Sequence, residues 1–369
     1  MKKLERAFLK HPILGCRRSL EVDELLTTLH SAHCQFIGLS TTSGASGPGT
    51  LAPLPQSPSL STTLSTSSSV QASTPASAVA LDLLLQDPHV TFFHDWLLEI
   101  AEIYIHSPPL SQDALTIDQC RILNDPDSSC PFRELALSRR QVSGIEGPFA
   151  HLSRGAVFSA LLFRGIMFNT NALHKTGHPG LFDTFEAWSQ FKSQHEHRGE
   201  RFICNPHAYG TTKGRVLGND QQFWTSSQVL YEKLRGSHTS FIGICKFITY
   251  GKDDRKRKLF PLFGDLLAYL LMVDFVYAGY VSWPMLEEVA RAIAELSEGT
   301  LHGLQKMGLI SMDHFKKEDV EEAFKALYFF LDQDEKFATV KKAVVFDLFM
   351  VEHALCKVSK DRVFENHSI

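Results

Sequence analysis

From Leu81 onward, apolar residues recur mainly at the spacing of helices rather than of strands. After Asp87-Pro88, the stretch HVTFFHDWLLEIAEIYI repeats Phe93, Trp96, Leu97, Ile100 and Tyr104 along one helical face. Asp87 suits an N-cap, and Pro88 suits the first helical position, where its missing N–H costs nothing. The same pattern predicts helices over 151–173, 183–194, 222–236, 264–281, 284–306, 317–333 and 335–357. In the 317–333 segment, Val320, Phe324, Leu327 and Leu331 form an apolar stripe, so its acids belong to a solvated face rather than to a calcium loop. Trp283-Pro284 separates the two central helices. Thr239 to Gly251, TSFIGICKFITYG, is the one segment with strand character. The predicted fold is mostly α, a helical bundle-like globular domain.

The N-terminal part has a different pattern. Ser19 to His33 reads as a short helix, with Ser19 as N-cap and Glu21, Asp23 and Glu24 near the positive end of the dipole. Between Glu24 and Asp82 the chain carries no Asp, Glu, Lys or Arg, and residues 41–80 are dominated by Ser, Thr, Pro, Gly and Ala. Such a segment buries too little apolar surface to offset its ordering entropy, and it is expected to be disordered. The expected organisation is therefore a helical arm over 1–40, a Ser/Thr/Pro-rich linker over 41–80 and an α-helical domain over 81–369. That domain is expected to be loop-rich at 107–147 and 199–221. Pro55, Pro58, Ser57-Pro58 and Thr74-Pro75 are proline-motif dipeptides of a kind this composition produces freely, so the linker is read as passive.

The run from Leu259 to Trp283 is long enough to cross a bilayer, and a basic flank precedes it. Asp274 decides against a span, because a carboxylate near the bilayer centre costs about 2.5–3.5 kcal/mol and no second span shelters it. A helix apolar all round also suits the middle of a bundle. The segment is expected to be a buried core helix, with Asp265 placed after Gly264 to cap its start. Asp274 then becomes a buried charge that needs a cationic partner.

Composition adds little direction. The 369 residues are 44% hydrophobic and 21% charged, with 27 Phe to fill a core. A net charge of −4 supplies no global attraction to nucleic acid or anionic membrane, so any such contact must be local. Seven scattered cysteines without a C-x-x-C pair indicate a reducing compartment. The opening MKKLERAFLKHPILG lacks a continuous apolar core for a signal peptide, so cytoplasm or nucleus is expected.

Three local features bear on chemistry. HEHRGERFICNPH places His195, His197, Cys204 and His207 together, and imidazole with thiolate would suit Zn²⁺. The spacing fits no standard zinc finger, and on a helix His195 and His197 diverge by roughly 200°. KDDRKRK carries five cations, Lys252, Arg255, Lys256, Arg257 and Lys258, diluted by Asp253 and Asp254. A solvated turn before a helix is the commoner meaning of such a run; otherwise it would contact phosphates or direct nuclear import, and Leu137 to Gln141 (LSRRQ) would extend it only if folding joined the two. Gly210 to Gly218 lacks the order of a phosphate-binding loop, and no serine-hydrolase, metalloprotease or Cys-His signature is present.

The leading expectation is a non-enzymatic α-helical scaffold whose N-terminal arm and tethering linker engage a protein partner. Its first alternative is a nucleic-acid-associated nuclear protein using residues 252–258. The second is a metal-dependent enzyme centred on residues 195–207.

Overall fold

A computed structural model describes residues 87–105, 112–136, 139, 148–166, 173, 176–198, 217–236, 240–296, 299–344 and 346–360. The expected arm, the expected linker, Cys204 and His207 lie outside them. Among the described residues there are thirteen α-helices and no strand, so the fold is mostly α.

Local chemistry sets where many of the helices begin. The Asp87 carboxylate accepts from the backbone N–H groups of His89 and Val90 at 2.8 and 3.4 Å, starting α1 (Pro88–Ile105). Thr116 opens α2 (Ile117–Asn124) with a capping box completed by Gln119, and Asp125 caps the short α3 (Pro126–Ser129). Ser153 and Thr184 cap α4 (Arg154–Gly165) and α5 (Phe185–His197). The next helix, α6 (Asp220–Arg235), precedes the segment expected to have strand character.

That segment is instead a helix, α7 (Phe241–Tyr250). Its β-branched residues suggested a strand, yet Phe241, Ile244 and Ile248 bury at i, i+3 and i+7. Ser240 accepts from the Gly243 N–H at 3.0 Å as the cap. Packing against α8 (Asp265–Tyr277) favours the helical period over the weak strand propensity. The start of α8 also departs from expectation. Gly264 is the cap position and makes no side-chain cap bond, while the Asp265 carboxylate accepts the Tyr250 hydroxyl.

Two long predicted helices are each divided. Residues 284–306 give α9 (Leu286–Leu296) and α10 (Gly299–Lys306). After α11 (Lys317–Gln333), residues 335–357 give α12 (Phe337–Val344) and α13 (Leu348–Lys360). The second division has a visible cause: the Asp347 carboxylate accepts from the N–H groups of Phe349 and Met350 at 2.9 and 3.0 Å, starting a new helix.

The centre of the bundle is α8, whose residues from Ala268 to Val276 are all buried. It packs on α4 and α7, while α9 pairs with α11, α10 with α13, and α1 with α12. At thirteen residues α8 is about 20 Å long, short of a hydrocarbon core of about 30 Å. Among the described residues no helix is long and apolar enough to cross a membrane.

Candidate functional site

The basic run forms a tight hairpin between α7 and α8. Lys252 and Lys258 face each other across an antiparallel bridge, and the Asp253 N–H donates to the Arg257 carbonyl at 2.9 Å. The Asp253 carboxylate accepts from the backbone N–H groups of Arg255 and Arg257 at 3.0 and 2.8 Å. It also pairs with the Arg257 guanidinium, Nη2 lying 2.7 Å away. The hydrogen bonds and charge of Arg257 hold this carboxyl below the usual carboxylate range. Lys256 turns the chain with a left-handed φ of 61°.

The sequence suggested that Asp253 only dilutes the positive charge. In the folded chain it is the residue around which the turn is built, a common role for Asp at the start of a turn. All five cations are exposed. Arg257 pairs with Asp253, whereas Lys252, Arg255, Lys256 and Lys258 have no ion-pair partner among the described residues.

The hairpin is firmly anchored. Phe260 and Phe263, just after it, are fully buried, and their rings meet Phe247 and Phe223 edge-on at 5.8 and 5.6 Å. Burial of each contributes about 1.5–3 kcal/mol, more than one exposed polar turn supplies. From α6, the Ser226 hydroxyl donates to the Leu259 carbonyl at 2.6 Å. A solvated basic turn is thus held at a fixed place on a rigid helical body.

Asp274 lies deep in the core at 1% exposure, surrounded by arginines from distant parts of the chain. Arg164 donates to it at 2.5 and 2.6 Å, Arg133 at 2.8 Å and Arg139 at 2.9 Å. Burial pushes its pKa up, but Arg164, Arg139 and Arg133 together outweigh that and hold it at about 2. Arg139 also pairs with Glu134 at 2.9 Å. Arg139, which would extend the basic surface only if folding brought it to the hairpin, is turned into the core at 4% exposure. An ionised, fully paired carboxylate of this kind organises packing and is poorly suited to accept or release a proton near neutral pH.

Of the histidine and cysteine group, His195 and His197 are described. They lie on α5, with His195 buried and His197 exposed on a different face. Among the described residues no group of three or more His, Cys, Asp or Glu is arranged to hold a metal ion. No known protein family, curated protein or solved structure matches the chain.

Proposed function

We propose that the protein is a non-enzymatic helical scaffold of the cytoplasm or nucleus that engages an acidic protein partner through the 252–258 hairpin. One observation carries this reading: Lys252, Arg255, Lys256 and Lys258 project from a built turn in which one of the two acids, Asp253, is occupied in shaping it, so the cations outnumber the one remaining acid, Asp254. Clustered exposed cations repel one another, which makes an acidic partner their natural complement. The buried, fully paired Asp274 is consistent with a body that holds this turn in place and performs no proton chemistry.

A second reading uses the same hairpin on nucleic-acid phosphates, with the exposed Tyr250 ring beside the cations. One experiment separates the two. Tagged full-length protein is purified from its own cells, with and without nuclease treatment, alongside an R255E/K256E/K258E variant. Acidic protein partners that survive nuclease and are lost with the variant support the scaffold reading. Partners that disappear with nuclease support the second. An unchanged partner set on the variant overturns both.

A further inference from the structure

A cavity of about 360 Å³ lies at the C-terminal end of α5, well away from the hairpin in sequence. It is lined by Thr176, His178, Phe191, Gln194, His195 and Arg198, among others. A volume of this size falls at the small end of the range for small-molecule sites, roughly 300–1,000 Å³.

Part of its wall is aromatic, made by His178, Phe191 and His195. His178 stacks on Phe182 at 4.7 Å with 19° between the rings and meets Phe191 at 4.9 Å, while Phe191 stacks on His195 at 6.0 Å. Behind them Trp188 and Phe182 meet edge-on at 5.2 Å, so the aromatic wall is set by the core. The surroundings of His178 favour its neutral imidazole. Burial lowers its pKa below the ordinary 6.5, and Nδ1 accepts from the Gly180 N–H at 3.0 Å. The neutral ring therefore carries its proton on Nε2 and offers one N–H donor.

One cation completes the lining. Arg198 is exposed and has no ion-pair partner among the described residues. It is also the C-cap of α5, where the helix end carries about half a negative charge. That helix end opposes any anion beside Arg198, and a dianion such as phosphate about twice as strongly as a monoanion. A monoanion with a flat apolar body matches one cation, one aromatic side and a few polar donors.

We propose that this cavity binds a small aromatic carboxylate, its ring against Phe191 and the two imidazoles and its carboxylate on Arg198. The proposal is independent of the hairpin and of the scaffold reading.

Benzoate is the test probe, with benzyl alcohol and benzylamine as neutral and cationic counterparts. Each is titrated into the full-length protein while the histidine ring protons are followed by NMR. Resonances are assigned through H178Q and H195Q. Benzoate is expected to shift the His178 and His195 signals saturably in the millimolar range, with benzyl alcohol at least about tenfold weaker and benzylamine weaker still. Arg198→Glu should remove benzoate binding and Arg198→Lys should retain part of it. Both variants are at an exposed position and their fold is checked by circular dichroism. Equal binding of benzoate and benzyl alcohol, unchanged binding in folded Arg198→Glu, or no saturable shift of either histidine overturns the proposal.

Discussion

Arg164 and Asp274, 110 residues apart in sequence, meet at 2.5 and 2.6 Å in the middle of the helical body. The contact ties α4 to α8, and Arg133 and Arg139 close the same carboxylate from outside those helices. Three guanidiniums on one buried carboxylate make the two kinds of deletion unequal. Asp274→Leu leaves all three cations without their shared partner and should cost about 3–5 kcal/mol in denaturant unfolding. Arg164→Met leaves Asp274 with two guanidiniums and should cost clearly less. Equal losses would show that the carboxylate is not the hub of the group.

The pH dependence of this group has a definite sign. The folded pKa of about 2 lies below the ordinary 3.8, so the contribution is fully present above the ordinary value and is lost as pH falls through the folded one. Between those limits about 2 kcal/mol of stability should disappear, measured as a falling denaturation midpoint. Asp274→Asn should flatten that segment of the profile.

Asp347 behaves in the opposite way. Burial pushes its pKa up to about 6, although the Tyr277 hydroxyl at 2.8 Å and the first N–H groups of α13 work against that rise. A folded pKa above the ordinary 3.8 favours the protonated form, so stability falls as pH rises from about 4 to 6. Asp347→Asn keeps a capping side chain and removes the charge. It should therefore equal or exceed the parent's melting temperature at pH 7 and lose the slope between pH 4 and 6. The fluorescence of Trp283, whose ring meets Tyr277 at 5.5 Å, reports the same titration locally.

These two carboxylates show what was legible in the sequence and what was not. The mostly helical class, the start of α1, the span of α11 and the core position of α8 follow from apolar period and cap residues, which act within a few neighbours. The need of Asp274 for a cation was legible too, because a lone acid in an apolar run has to be neutralised. Its partners were not, since Arg133, Arg139 and Arg164 are brought to it by folding across more than a hundred residues. Asp347 was not legible as a cap, because an apolar run on both sides hides a cap whose only signal is one polar residue. At the candidate site the charges were legible and the shape was not. That Asp253 shapes the turn was not legible, because the backbone N–H groups that donate to it, those of Arg255 and Arg257, are brought to it only by the fold of the hairpin.

Close approach of two helices gives a further test. In α10, a Cβ built at Gly303 would lie 2.6 Å from the Leu355 carbonyl oxygen of α13, and that backbone has little room to move. On an isolated helix Gly→Ala is worth about 1 kcal/mol of stabilisation. Here the clash should win, and Gly303→Ala should lower stability by about 1–3 kcal/mol in urea unfolding. Gly218 meets nothing within 4 Å, so Gly218→Ala is the control and should leave the midpoint almost unchanged.

The hairpin predicts a local effect with no global one. Asp253→Ala removes the acceptor shared by the Arg255 and Arg257 N–H groups and the partner of the Arg257 guanidinium. Those two amides should then exchange with solvent faster. Amides of α8 should keep their protection, because Phe260 and Phe263 remain buried and still anchor the segment. The variant retains all five cations and has one fewer negative charge. If the fixed geometry of the turn matters, it should bind an acidic partner less well despite its more positive hairpin. Asp254→Ala makes the same charge change at a residue that accepts none of the turn's bonds, and it should bind at least as well as the parent. Equal gains in affinity for both variants, measured at matched ionic strength, would mean that net charge alone governs the contact.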